Sequence, residues 1–135
     1  MKDVVRWKIQ KEVAERRVAG PFVESPVPNL RISPLGVIPK KTPGEFHLIH
    51  HLSYPEGESV IDMIPQELCM VRYTSFDAAI HMVQACGNGA KLWKAVIKSA
   101  FRLLPVHPDD FKLLGSQFED LFYMAHGMFN FLHCF

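Results

Sequence analysis

The chain has no apolar run approaching the roughly 18 residues a membrane-spanning helix requires. Its start, Met1-Lys2-Asp3, leads into a charged segment without the apolar stretch of a secretory signal. No membrane association is expected, and cytoplasm or nucleus are equally open. Cysteine is scarce: Cys69, Cys86 and Cys134 are widely spaced and odd in number. They form neither a disulfide framework nor a zinc-ligand spacing and read as reduced thiols. A dominant charge is missing as well. The formal net charge is +1 and the pI near 7.8, so any nucleic-acid binding must come from a local patch. There is no internal repeat, no glycine-rich loop of the P-loop kind, and no Ser-His-Asp or Cys-His spacing that argues for a nucleophile.

What is present fits one folded domain with a modest core. The apolar fraction is 48% and the charged fraction 21% over 135 residues, values ordinary for a globular chain. Ten prolines and eight glycines favour short elements joined by turns. Val4, Val5, Ile9 and Val13 recur at near-helical spacing among charged residues, predicting an amphipathic helix that Gly20-Pro21 ends. Pro21 to Pro34, with four prolines, is expected to run extended over a surface rather than as a central strand. Residues 31–39 and 45–52 read as strands joined by Lys40-Lys41-Thr42-Pro43-Gly44, a hairpin with two lysines beside its tip. Ser53 to Gln66 reads as loop. Ser75 can cap a helix with apolar Phe76, Ala79, Ile80 and Val83, stopped by Gly87-Asn88-Gly89. Lys91 to Lys98 reads as a strand, Ser99 to Arg102 as a turn or short helix, and Pro108-Asp109-Asp110 as a helical turn. Lys112 to Phe118 and Leu121 to Met124 read as a second hairpin. The pattern is α+β.

Particular strings say more than periodicity does. Ser33-Pro34-Leu35-Gly36-Val37-Ile38-Pro39-Lys40-Lys41, followed by Phe46-His47-Leu48-Ile49-His50-His51-Leu52-Ser53, resembles the fingers hairpin of reverse transcriptases. The closest likeness is to DIRS-type retrotransposons, whose elements carry a tyrosine recombinase. Lys98 to Val106 resembles the end of the family's first catalytic motif, and Ser75 to Cys86 the helix before it. The resemblance covers about Val18 to Met124. It implies a partial right-hand polymerase, fingers plus the first part of the palm, in a single domain. Its parts would be an N-terminal helix (1–20), a fingers-like hairpin and loops (21–74), the start of the palm (75–124) and a divergent tail (125–135).

Enzymes of this family use two magnesium ions, held by carboxylates, to activate the primer hydroxyl and stabilise the leaving pyrophosphate. The first of those aspartates aligns with Val96, five residues before Phe101, and valine offers no ligand. The later aspartate pair has no counterpart in the sequence, which reads as a truncated, degenerate copy; no cofactor and no metal site are expected. Asp109-Asp110 falls where the family has acidic residues without a metal role and reads as a solvated helix start. Phe101 falls at the sugar gate, a position equally suited to an ordinary core phenylalanine. Lys40, Lys41, His47, Phe101 and Arg102 are the nucleotide- or template-binding positions by resemblance. His47 replaces an arginine that clasps the triphosphate, and so loses a planar five-donor fork. After Met124 the family's aspartate and Leu-Pro string give way to Ala125-His126-Gly127-Met128-Phe129-Asn130. Seven histidines lack a partner set for a metal; His50 and His51, adjacent on a strand, would face opposite ways. Trp7 and Trp93 read as packing residues.

The expected function is therefore an inactive remnant of an RNA-directed DNA polymerase, with at most weak binding of RNA or DNA. Two alternatives stand beside it. One is a co-opted interaction module with a protein partner at the unfinished palm edge; the other is a translated fragment with no selected role.

Overall fold

The computed structural model describes residues 1–97, 100 and 104–127. They contain both helices and antiparallel sheets, as an α+β chain should. The chain divides into two compact units, one of Met1–Met63 with Ser99–Phe135 and one of Ile64–Lys98.

In the first unit, α1 spans Lys2–Ala14. Its inward stripe is Val5, Ile9 and Val13, with Ile9 buried and the two valines packed beside it. Glu12 is buried on the same helix and accepts from Arg17 Nε at 2.6 Å, so its charge enters the interior already paired. The helix stops earlier than the expected 20: Arg16 takes a left-handed φ of 57°, and Val18–Phe22 becomes a strand, β1. Gly20-Pro21 thus lies inside a strand instead of terminating a helix. Proline is tolerated because β1 is an edge strand, and the pairing is irregular between Ala19 and Phe22. Gly20 is required there. Its φ is +132°, and a Cβ would stand 2.9 Å from the Phe122 carbonyl oxygen.

β1 pairs with β5 (Leu121–Ala125), which in turn pairs with β4 (Gly115–Phe118), all antiparallel. β4 begins later than the expected hairpin because Pro108–Leu113 forms a short 3₁₀ segment that takes up Lys112. Glu119 and Asp120 both have positive φ, 51° and 62°, the conformation of a two-residue primed turn. Arg6 of α1 grips that turn through two hydrogen bonds to Glu119, Nη2 to Oε1 at 2.6 Å and Nε to Oε2 at 3.1 Å.

β2 (Leu35–Pro39) and β3 (Phe46–His50) form the first expected hairpin as a separate two-stranded sheet. The segment entering β2 ties the two sheets together. Arg31 N–H donates to the Lys112 carbonyl at 2.7 Å, and Ser33 N–H to the Gly115 carbonyl at 2.9 Å. Ile9, Val18, Leu48, Leu52, Val60, Leu114, Tyr123 and Ala125 make the core between α1, the sheets and the loop after β3. That loop is not wholly irregular, since Ile61–Met63 forms one 3₁₀ turn whose start is fixed by Asp62 accepting from Ser59 N–H and Oγ–H at 2.9 and 2.6 Å.

In the second unit, α2 spans Phe76–Cys86. Ser75 Oγ accepts from Ala78 N–H at 3.1 Å, and Gly87, at φ +77°, stops the helix, both as the sequence predicts. The strand expected over Lys91 to Lys98 is not formed across its described residues, 91–97. Loose alternation of Leu92, Trp93, Ala95, Val96 and Ile97 makes a strand only where another strand offers an edge, and the described sheets include no partner for it. The turn expected over Ser99 to Arg102 falls mostly outside the described residues.

Candidate nucleic-acid interface

The hairpin tip is the place where the chain gathers cationic side chains expected to meet phosphate. Five residue pairs fix its register, from Leu35 opposite His50 to Pro39 opposite Phe46. The turn is closed by Lys40 N–H donating to the Glu45 carbonyl at 2.8 Å and by Glu45 N–H donating to that of Thr42 at 3.2 Å, with Gly44 at φ +80°. Strand alternation then sorts the side chains. Phe46, Leu48 and His50 share the face toward α1 and the core. His47 shares the opposite face with Ile49 and, across the ladder, with Ile38.

Lys40 is half-buried, and its Nζ lies 2.8 Å from Glu45 Oε2. That hydrogen bond, then the Lys40 charge, holds the Glu45 carboxyl below the usual carboxylate range; Lys8 of α1 and His47 add smaller pulls the same way. Lys41 is exposed beside it, and so is His47. The structure therefore brings Lys40, Lys41 and His47 to one end of one hairpin, with His47 on the face turned from α1. Glu45, which sequence reasoning passed over, offsets part of the charge of Lys40. Its position five residues after a lysine across a Pro-Gly turn was the signal for it.

Val96 lies in the second unit with its side chain 86% exposed. Phe101 and Arg102 lie outside the described residues. A magnesium ion of the kind such polymerases use is not fitted by position 96, since a valine side chain has no oxygen to offer. Among the described residues no three His, Cys, Asp or Glu side chains come together as a metal-holding group. Asp109 sits in water at the start of the 3₁₀ segment, its carboxylate 3.6 Å from His107 Nδ1.

The expected strand ends at His50, so His51 lies just beyond β3. His50 is 1% exposed, while His51 is half-exposed and stacks on Tyr54 at a ring-centroid distance of 5.8 Å. The tryptophans, however, do not pack as expected: Trp7 is 56% exposed and Trp93 86%. For Trp7 the reason is helical phase. The core stripe of α1 is Val5, Ile9 and Val13, and Trp7 lies midway between the first two, on another face.

α2 presents a further departure from ordinary burial. Phe76, Ile80 and Val83 follow the i, i+4, i+7 series of a core-facing helix, yet they are 80%, 39% and 37% exposed. No helix among the described residues is long and apolar enough to cross a membrane. No family model, curated protein or solved structure matches the chain.

Proposed function

We propose that this chain is a catalytically inactive relative of retrotransposon reverse transcriptases of the DIRS type, able to bind RNA or DNA weakly through the tip of its β2–β3 hairpin. The observation that carries the reading is that hairpin. The string that resembles the family's fingers folds as one antiparallel pair with Lys40 and Lys41 at its tip. Lysines there suit phosphate contacts, which position a nucleic acid without reading its sequence. The chemistry is missing a part. With Val96 at the position of the first metal-binding aspartate, two-metal phosphoryl transfer has no ligand from that position. With His47 in place of arginine, the triphosphate loses a bidentate donor.

The test is primer extension by the purified chain on an RNA or DNA template with magnesium or manganese. No incorporation is expected, and robust incorporation would overturn the reading. Val96→Asp is expected to restore nothing by itself, because one carboxylate supplies a single arm of a site that needs several.

The exposed row on α2 favours a second reading, a co-opted interaction module. Phe76, Ile80 and Val83 present to water the kind of face that helices ordinarily bury. On this reading the wild-type chain self-associates as its concentration rises in sedimentation runs, and Ile80→Lys with Val83→Lys makes it monodisperse. A monodisperse wild-type chain would count against self-association through this face.

A further inference from the structure

A groove of about 500 Å³ runs between α1 and the hairpin tip, both in the first unit. Its helix wall is Asp3, Val4, Trp7, Lys8 and Lys11, and Lys40, Gly44, Glu45 and Phe46 close the other side. Trp7 and Lys11 are one helical turn apart and so share a face. The indole is more than half exposed, and the ammonium groups of Lys8 and Lys11 lie 4.9 and 5.7 Å from its ring centroid. Asp3 shares Arg6 with Glu119, and Glu45 pairs with Lys40 at 2.8 Å, so the lining's three lysines exceed its two carboxylates by one charge. Lys11 is 4.0 Å from Glu15, at the outer limit of an ion pair. The groove thus combines a half-exposed indole, two ammonium groups over its ring that a stacking base must displace, and a third lysine at the hairpin tip.

We infer that this groove binds single-stranded nucleic acid, one base stacking on Trp7 while the flanking phosphates meet Lys8, Lys11 and Lys40. Base stacking on an aromatic side chain with lysines tracking the backbone is the usual physics of sequence-tolerant single-strand binding. An exposed row of lysines alone would attract any polyanion. The inference rests on the proposed nucleic-acid binding and deepens it, moving the principal contact from the hairpin tip to the helix beside it.

The experiment uses the full chain carrying Trp93→Phe, so that Trp7 is the remaining tryptophan. Labelled oligo-dT and oligo-U are titrated by fluorescence anisotropy while Trp7 emission is followed. Binding that quenches Trp7 emission is expected. Trp7→Ala should weaken it about tenfold and Trp7→Phe much less, the range one stacked base contributes. Lys11→Gln should weaken binding and lower its salt dependence by roughly one phosphate contact. If binding persists unchanged in Trp7→Ala but is lost in Lys40→Gln with Lys41→Gln, the groove is refuted and the tip reading stands. If polyglutamate competes as well as the oligonucleotides, the site reads charge alone and the stacking inference fails. If neither oligonucleotide binds, both readings fall.

Discussion

Acidification from pH 7 to pH 4 is expected to remove about 3 kcal/mol of folding stability through one side chain, His50. The imidazole is 1% exposed, and its Nε2 lies 2.9 Å from the Gly115 carbonyl oxygen. A carbonyl can only accept, so Nε2 carries the proton and the neutral ring already satisfies it. Burial pushes the pKa from 6.5 down to about 4, against the smaller upward pull of that hydrogen bond. The direction of the stability change follows. Between these two values the unfolded chain takes up a proton that the folded chain refuses, so the unfolded state gains as pH falls. Above pH 6.5 both states are neutral and nothing is lost. Below about 4 both are charged and the loss levels off. Urea melts at pH 7, 5.5 and 4 would measure this. Carboxylates such as Asp62 and Glu119, whose pKa values are lowered by their partners, also cost stability in acid. The contribution of His50 is therefore read as a difference from His50→Gln, which can still donate from a similar place and does not titrate. At pH 7 the glutamine variant should be the less stable protein, and by pH 4 the gap should close or reverse. Parallel pH profiles for the two proteins would remove the histidine from the account.

That histidine shows where the sequence could be read and where it could not. The β2–β3 hairpin follows from Pro43-Gly44 between two apolar runs. Ser75 and Gly87 bracket α2 because a cap and a stop are local chemistry. In contrast, nothing near His50 in the chain announces its partner, which lies 65 residues away. β1 escaped notice for the same reason. Val18–Phe22 contains Gly-Pro and has no alternation to speak of; it becomes a strand because β5 offers it an edge. The residues 91–97 are the converse, apolar enough for a strand and, among the described residues, without one to pair with. At the hairpin tip, Lys40 and Lys41 were legible as cations at a turn. The groove they border was not, since Trp7 and Lys11 come from a helix some thirty residues earlier and meet the tip only in three dimensions. Local rules thus fixed turns, caps and periods, and tertiary pairing decided the rest.

Gly115→Ala is expected to destabilise the chain by about 3 kcal/mol, although it adds a single methyl group. A Cβ at this position would stand 2.6 Å from the Arg31 carbonyl oxygen and 2.6 Å from Leu30 Cγ. A leucine side chain can turn aside. The carbonyl cannot, because it is the acceptor of the Gly115 N–H at 3.0 Å. Relief must come from moving the Leu30–Ser33 backbone away, and that movement strains a whole cluster. The Gly115 carbonyl accepts from Ser33 N–H at 2.9 Å and from His50 Nε2 at 2.9 Å, so one peptide unit joins β4 both to the entry of β2 and to the end of β3. Overpacking of a tight site and loosening of buried hydrogen bonds each cost about 1–3 kcal/mol, and here they come together. Gly36→Ala is the control. That glycine lies in β2 with nothing within 4 Å of a built Cβ, and its change should stay within about 0.5 kcal/mol. Urea denaturation of the three proteins at pH 7 checks the ordering, and a Gly115→Ala chain as stable as the control would show that the segment yields freely. Combining Gly115→Ala with His50→Gln should cost less than the sum of the two changes. Both act on the same carbonyl, and a contact already loosened by the first cannot be lost again to the second.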